Sequence, residues 1–369
     1  MIAMTPVLES GLAVYDRSIL SPDEFELRIA SVQRCLIEHD LAALMIFDSI
    51  EHSAGPMAYL AGCCLGGVLL VFPQAAPILI TVGAPRELHH HRTLSWMSDV
   101  RGAPGTHGQL AAQALAESGV SAGRIATVAM DVLTTAEHAE LCTALQRFEL
   151  VEFDSTYWAL RTCRRPRELM AIRRSLSIAA QAAAAAENIY RSGASNAEAV
   201  IEAERVGRYL GARDLRLLGN VRDGAMSPME GHRRQRYDRL IVQVGADQGY
   251  YAASTANAEA SQRDGAAARA LERMVEVART HATSDAVARA ACCALPAGAW
   301  QQARAFGLGV ECGMTVADTR PIALGDQRGL PEGCVLSLQV LCSDRSGRLE
   351  LATATVRVGP SGGQRLLPL

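Results

Sequence analysis

The stretch "IVQVGADQGYYAASTANAEA", residues 241–260, decides how the second half of this chain folds. An extended run over 241–246, mostly apolar, leads into "DQG", in which aspartate and glycine are common in tight turns. A second extended run begins at Tyr250. Two extended runs joined by so short a connection predict a β-hairpin.

Around this hairpin, the second half of the chain combines helices and strands. The segment "RRPRELMAIRRSLSIAAQAAAAAENIYRSG" predicts a long helix that ends near Gly193, because alanine favours helices and glycine commonly ends them. Ser195 or Asn196 is the expected N-cap of the next helix. Further helices are predicted over 261–281 and 284–294. Strands are predicted over 239–246, 249–257, 306–312, 334–342 and 348–358. Helices gathered beside mostly antiparallel strands indicate an α+β domain.

The first half of the chain alternates strands with helices. Residues 21–39 predict a helix with Ser21 as N-cap and Pro22 at the first helical position. Strands are predicted at "LAALMIFD", "YLAGCCLGGVLLVF", "APILITVG" and "RIATVAMD", and helices near 108–118 and 135–147. The alternation predicts an α/β domain over residues 1–160, followed by the second domain over 161–369.

Composition narrows the class of protein. Apolar residues make up 49% of the 369 residues and the formal net charge is −3, which gives no reason to expect nucleic acid or an anionic membrane as a partner. The ten cysteines are scattered without zinc-site spacing, which favours free thiols in a reducing compartment. No signal peptide is evident, and no apolar run reaches the ~20 residues of a membrane helix. We therefore expect a cytoplasmic protein.

Five parts of the sequence, in this order, resemble the creatinase and aminopeptidase P family. They are "EFELRIASVQRCLIEHDLAALMIFD" with "AYLAGC", "LRTCRRPRELMAIRRSLSIA", "YDRLIVQVGADQGYY", "FGLGVECG" and "LPEGCVLSLQV". The resemblance spans nearly the whole chain. It implies a creatinase-like N-terminal domain over 1–160 and a pita-bread catalytic-type domain over 161–369.

The resemblance also identifies the positions of the family's metal ligands, which are two aspartates, one histidine and two glutamates. The aspartate positions hold Gln243 and Ala253, the histidine position holds Phe306, and the first glutamate position holds Gln339. The last glutamate falls on Glu350 or one or two residues beyond it. Because amide, methyl and phenyl groups are poor substitutes for carboxylate and imidazole ligands, we expect no metal and no other cofactor.

Creatinase itself implies how a metal-free member of the family can cleave a C–N bond. The stretch "GYYAAS" is similar to its "GYYTAL", and its chemistry uses a histidine as general acid and base. The candidate here is His232, between the second long helix and the hairpin, but strict spacing from Asp238 places the family histidine on Met226. A substrate-gripping glutamate of creatinase corresponds to Thr255, so creatine is not the expected substrate.

Further residues are candidates for the same pocket. Tyr250 and Tyr251 alternate across a strand, so one should face the pocket and the other the core. Glu311 belongs either to the pocket floor or to a salt bridge. Arg233 lies in an arginine-rich loop that is either solvated or suited to a carboxylate-bearing substrate. The candidate catalytic residues are His232, Tyr250, Tyr251 and Glu311, and the candidate substrate-binding residues are Gln243, Thr255, Phe306, Gln339, Glu350 and Arg233.

Two function classes follow from the sequence. The favoured one is a metal-independent creatinase-like enzyme that acts on a small amino-acid-derived substrate by hydrolysis or elimination at a C–N bond. The alternative is a non-catalytic pita-bread protein that binds a ligand or a protein partner. The resemblance also implies a homodimer in which "AYLAGCC" lies near the partner's cleft.

Overall fold

A computed structural model describes most of the chain. The described residues are 18–48, 55–62, 67–82, 85–103, 105–222, 225–228, 236–247, 250–258, 265–296, 298–314, 319–344 and 346–369. The chain divides into two compact units between Arg161 and Thr162.

The first unit contains a six-stranded mixed sheet with strand order β4-β3-β2-β1-β5-β6. Its strands are β1 (Ala43–Asp48), β2 (Gly67–Val71), β3 (Ile78–Val82), β4 (Asp99–Ala103), β5 (Gly123–Val128) and β6 (Phe148–Glu152). Its helices are α1 (Pro22–Glu38), α2 (Gly55–Ala61), α3 (Pro85–Leu94), α4 (His107–Glu117), α5 (Thr135–Ala144) and α6 (Asp154–Thr162). Strand β1 pairs antiparallel with β2 and parallel with β5, as expected of an α/β sheet with crossover helices.

One prediction for the first unit was wrong. The run "YLAGCCLGGVLLVF" was predicted as a single strand, but Tyr59–Ala61 end helix α2 and the strand begins only at Gly67. Every described residue of α2 except Pro56 is buried. A helix that is buried on all sides shows no amphipathic period, so its sequence looks like that of a buried strand.

The second unit contains two antiparallel sheets, with strand orders β10-β9-β7-β8 and β12-β11-β13-β14-β15. The strands are β7 (Asp214–Arg222), β8 (Ala225–Ser227), β9 (Leu240–Asp247), β10 (Tyr251–Ala258), β11 (Gly309–Glu311), β12 (Arg320–Pro321), β13 (Val335–Ser343), β14 (Leu349–Val358) and β15 (Gly363–Arg365). The helices are α7 (Pro166–Arg191), α8 (Asn196–Tyr209), α9 (Ala266–Val277), α10 (Ser284–Ala294) and α11 (Ala299–Phe306).

The hairpin predicted at 241–260 is present as β9 and β10. Tyr251 pairs with Asp247, and the register continues without a break to Ala258 opposite Leu240. The N-cap predicted for α8 is also confirmed, because the Ser195 side chain accepts a hydrogen bond from the backbone of Glu198. Strand β7, which the sequence did not predict, pairs with β9 on the side away from β10.

Alternation along the strands gives each sheet of the second unit one face toward helices and one face toward the other sheet. Val242 and Val244 of β9 pack into a core with α7 and α8. Leu338 of β13 packs into a separate core with α9 and α10. Ile241, one residue along from Val242, instead joins a cluster with Leu341 of β13. The odd-numbered residues of β9 and of β13 therefore lie on the two inner faces, which meet each other.

Candidate functional site

The candidate site lies where these inner faces meet, and strand register decides which residues reach it. Gln243 of β9 is paired with Thr255 of β10. Gln339 of β13 is paired with Thr353 of β14. Directly paired residues on antiparallel strands point to the same side of a sheet. Two amides and two hydroxyls are thus presented at the junction of the sheets.

A hydrogen bond between two glutamine side chains joins the sheets. Gln243 Nε2 donates to Gln339 Oε1. Gln339 in turn donates through Nε2 to the carbonyl oxygen of Gly307 at 3.2 Å. Gln243 is only 2% exposed, whereas Gln339 is half-buried. The positions at which the resemblance places a metal-binding aspartate and glutamate are thus joined by an uncharged contact.

A second polar contact connects the same two sheets through hydroxyl groups. Thr255 Oγ1 and Thr353 Oγ1 lie 3.4 Å apart. Thr353 was not among the residues selected from the sequence, where the last ligand position was placed at Glu350 or just beyond it. Side-chain alternation along β14 could have identified Thr353, because it places Thr353 on the same inner face as Leu351.

Glu350 points elsewhere. Its Oε2 accepts a hydrogen bond from the backbone nitrogen of Ala267 at 3.1 Å, at the first turn of α9. A carboxylate at a helix N-terminus satisfies a free N–H group and interacts favourably with the helix dipole. Its predicted role in substrate binding stays a prediction.

Apolar side chains form the wall beside the amide pair. Phe306, the last residue of α11, and Met226 of β8 pack against the inner-face cluster that contains Ile241 and Leu341. Both side chains are half-buried. The resemblance places the metal-binding histidine at Phe306 and the creatinase histidine at Met226. Both positions therefore carry apolar side chains that belong to one cluster. The strand predicted over 306–312 is shorter than expected, because Phe306 still belongs to the helix and β11 begins at Gly309.

The two tyrosines of the hairpin have different surroundings. Tyr251 lies on the inner face, and its ring covers Gly245 so closely that a Cβ on Gly245 would lie 2.6 Å from Tyr251 Cε2 and 2.8 Å from Oη. Burial raises the pKa of Tyr251 to about 12. The phenol is therefore protonated at neutral pH and can donate a hydrogen bond.

Tyr250 belongs to a buried ionic network. Its hydroxyl donates to Glu168, which is fully buried in α7. The Arg164 guanidinium lies 5.0 Å from the centroid of the Tyr250 ring and 3.9 Å from Glu168. Burial acts to lower the pKa of Arg164, but Tyr250, Glu168 and Glu311 outweigh it, and that pKa is raised. The network fixes the start of β10 against α7.

Glu311 lies in the neighbourhood of the same network. Its carboxylate is 3.7 Å from Arg328, and the side chain is only 2% exposed.

His232 and Arg233 lie outside the described residues, so their predicted roles stay predictions.

The residues at the metal-ligand positions do not fit a pair of divalent cations. Such cations need carboxylate or imidazole ligands, whereas Gln243 and Gln339 bond to each other and Ala253 and Phe306 have no side-chain donor atom. In the described part of the chain, no group of three or more histidine, cysteine, aspartate or glutamate side chains is placed to hold a metal ion.

Comparison with known proteins gives structural matches without sequence matches. No protein-family model and no curated protein matches this sequence. The X-Pro aminopeptidase of Thermotoga maritima is 14% identical, with a TM-score of 0.76 over 92% of this chain and 97% of that chain. The dipeptidase PepE of Mycobacterium ulcerans is 18% identical, with a TM-score of 0.70 over 96% and 97%. The N-terminal domain of the FACT complex subunit SPT16 of Cicer arietinum is 13% identical, with a TM-score of 0.64 over 93% and 96%.

The chain therefore has the pita-bread fold of the creatinase and aminopeptidase P group, preceded by an α/β unit, as the sequence predicted. Identities of this size show the fold alone, and the site has to be interpreted from its own side chains. Among the helices that the structure describes, none has the length and apolar character needed to cross a membrane.

Proposed function

We propose that this chain is a metal-independent pita-bread protein that binds a small amino-acid-derived molecule at the junction of its two inner faces. The observation that supports this most directly is the hydrogen bond between Gln243 and Gln339. It provides hydrogen-bonding groups at the positions where metal-dependent relatives are expected to carry charged ligands. Thr255 and Thr353 add hydroxyl groups to the same junction.

Binding without catalysis is the function that this geometry supports best. Along the inner faces the structure describes amides, hydroxyls, the phenol of Tyr251, whose pKa is raised to about 12, and the guanidinium of Arg216, which is paired with Gly245. General acid–base catalysis near neutral pH needs a group that gains and loses a proton there, and these groups do not. They are suited to orienting a ligand through hydrogen bonds.

The test is a binding screen on the whole protein. Amino acids, their amides and N-acyl derivatives are tested by thermal shift, and each compound that raises Tm is measured by calorimetry. Gln243→Leu should bind a compound found in this way at least about tenfold more weakly, because a hydrogen bond in a buried site is lost. Gln301→Leu is the matched control, since Gln301 is exposed on α11. Equal binding by Gln243→Leu and the parent would overturn the proposal.

A creatinase-like enzyme is the second candidate, and it depends on His232. This histidine lies in the segment "EGHRRQR", whose arginines favour a carboxylate-bearing substrate. In this case the parent converts a bound compound, and His232→Ala lowers turnover by about 10² to 10⁴, the usual contribution of a positioned acid and base. Activity should then depend on pH between roughly 5 and 8, where imidazole titrates. Product analysis by NMR distinguishes catalysis from binding. If the unmodified protein leaves every ligand chemically unchanged, it binds the ligand without catalysis.

We also propose that the chain forms a homodimer in the cytoplasm. The proposal rests on the resemblance of "AYLAGCC" to a segment that lies near the partner's cleft in the family. Light scattering at micromolar concentration should report about twice the chain mass of 39.4 kDa. A mass of one chain under these conditions would exclude it.

A further inference from the structure

Arg357 of β14 places a positive charge on the inner face without a counter-ion. Its strand neighbours Val356 and Val358 pack into the core with the helices, so Arg357 points to the other side of the sheet. Its Nε is buried without a hydrogen-bond partner, and its guanidinium forms no ion pair with any residue that the structure describes. Burying a charge is costly unless an opposite charge is paired with it. A bound anion would remove this cost.

Strand pairing shows that the residues adjoining Arg357 on this face are uncharged. Val335 of β13 is paired with it on one side, and Gln364 of β15 is paired with it on the other. Thr355 precedes it on the same face of β14. Gly333, in the turn before β13, has no side chain, and a Cβ there would lie 3.6 Å from Arg357 Nη2. None of these residues can neutralise the guanidinium.

Thr355 adds an unpaired hydroxyl to the same face. The side chain is 3% exposed, and its Oγ1 has no hydrogen-bond partner among the described residues. A buried hydroxyl that makes no hydrogen bond is costly unless a ligand or water supplies a partner. Thr355 is paired with Ser337 of β13, which is also buried and therefore adds a second hydroxyl on this face. A guanidinium with neighbouring hydroxyl donors is suited to an oxyanion.

The facing sheet carries a second positive charge at the same end of the junction. The backbone nitrogen of Tyr251 donates to the carbonyl oxygen of Gly313 at 3.0 Å, in the segment that continues β11 beside the start of β13. The hairpin therefore begins at the Arg357 end of the junction. Arg216 of β7 is paired with Gly245 and interacts electrostatically with Tyr251. Because Arg216 is exposed, it attracts an anion less strongly than a buried cation does.

We infer that the ligand between the inner faces carries a carboxylate, which Arg357 binds as its counter-ion with the Thr355 hydroxyl as a further donor. A guanidinium can donate two parallel hydrogen bonds to a carboxylate. Thr353, two residues before Thr355, is paired with Gln339. Residues two apart on a strand are separated by roughly 7 Å. An amino-acid derivative can therefore place its carboxylate toward Arg357 and an uncharged polar group near Gln339. This inference rests on the proposed function and specifies its ligand.

Calorimetry on the whole protein with matched acids and amides tests the inference. The probes are N-acetylglycine against N-acetylglycinamide, aspartate against asparagine, and glutamate against glutamine. The acid of at least one pair should bind at least about tenfold more tightly than its amide, because only the acid supplies a counter-ion.

Three substitutions assign this preference to the site. Arg357→Gln should abolish the preference for the acid, and Arg357→Lys should retain part of it, because lysine keeps the charge without the planar fork. Thr355→Val should weaken binding of the acid by about threefold to tenfold, because one hydrogen bond is lost. Arg365→Gln is the matched control, since Arg365 is paired with Val356 on the helix side of the same sheet and already forms an ion pair with Glu272. It should bind like the parent.

The outcomes separate this inference from the proposed function. Amides that bind as tightly as the acids, with both weakened by Gln243→Leu, would overturn the carboxylate while leaving binding at the inner faces in place. A preference for the acid that persists in folded Arg357→Gln would assign the carboxylate to another cation and overturn the role of Arg357. Inorganic phosphate that binds more tightly than every acid, and only when Arg357 is present, would overturn the carboxylate in favour of a phosphate group. Binding of no probe by the folded parent, as checked by circular dichroism, would overturn both proposals.

Discussion

Gln243 on β9 and Gln339 on β13 are linked by a side-chain hydrogen bond that crosses from one sheet of the pita-bread unit to the other. Carboxylates at both positions would repel each other at neutral pH unless cations lay between them. The amide pair needs no cation, because one side chain donates and the other accepts. The two sheets are therefore joined at this point by an uncharged hydrogen bond.

The first prediction concerns metal content. Purified protein should carry far less than one equivalent of manganese, cobalt, zinc or iron per chain, because amide, methyl and phenyl groups occupy four ligand positions. Elemental analysis before and after dialysis against a chelator measures this. Two tightly held ions per chain that survive the chelator would contradict it.

The second prediction separates the two hairpin tyrosines. Tyr250→Phe should lower the free energy of unfolding by about 1–3 kcal/mol, because buried Glu168 loses a donor. Tyr251→Phe should change it by no more than about 0.5 kcal/mol, because the Tyr251 hydroxyl bonds to no described residue. Urea-unfolding midpoints of the two variants provide the comparison. A Tyr250→Phe variant as stable as the parent would show that the Tyr250 contact with Glu168 does not stabilise the fold.

The third prediction concerns the close approach of Tyr251 to Gly245. Gly245→Ala should destabilise the protein by about 1–3 kcal/mol, because the new methyl group would lie 2.6 Å from the ring. In a Tyr251→Ala background the same substitution should cost much less, which a double-mutant cycle reports as coupling. Gly329→Ala is the control, since a Cβ there meets nothing within 4 Å. Equal effects at Gly245 and Gly329 would contradict the contact.

The fourth prediction uses the buried thiols. Burial raises the pKa of Cys312 from 9.0 to about 12 and, with Glu350 and Asp344 contributing, that of Cys342 to about 11. Iodoacetamide at pH 8 should therefore label exposed Cys142 in the native protein well before Cys312. Peptide mass mapping over time measures the order, and early labelling of Cys312 would be incompatible with its burial.

The same shifts predict how stability depends on pH. Below pH 9 the Cys312 thiol holds its proton in both the folded and the unfolded chain, so it contributes no pH dependence. Between about 9 and 12 the unfolded chain releases this proton while the folded chain keeps it. Stability should then fall as pH rises, because the folded state binds more protons. Urea-unfolding midpoints at pH 8 and 10 test the sign, and Cys312→Ala should reduce the difference.

Local signals in the sequence were sufficient for many elements of the fold. Ser21 before Pro22 marked the start of α1, and Ser195 before Asn196 marked the start of α8. The hairpin of β9 and β10 followed from two extended runs around a short turn. In contrast, α2 was missed because its fully buried surface removed the helical period. Strand β7 was missed because its only clear apolar alternation is Leu215 and Leu217.

The candidate site was predictable in part. Gln243, Gln339 and Thr255 were selected through the resemblance to the family, and the structure brings all three to the junction of the inner faces. The tyrosine alternation correctly predicted two different environments, but no local signal distinguished the tyrosine that donates to Glu168. That partner lies 82 residues earlier in the chain. The hydrogen bond that Glu350 accepts from Ala267 had no signal in the sequence, because a capping carboxylate and a pocket carboxylate look the same there.

The sequence by itself determined the order of the elements and the chemical character of the inner-face residues, because strand alternation and residue type are local properties of the chain. Only the tertiary structure decided that the Gln243 amide meets the Gln339 amide and that Thr255 meets Thr353. These partners are 96 and 98 residues apart. Contacts at such separations form only when the two sheets pack face to face, and the apolar cluster of Ile241, Leu341, Leu349 and Leu351 lies between them.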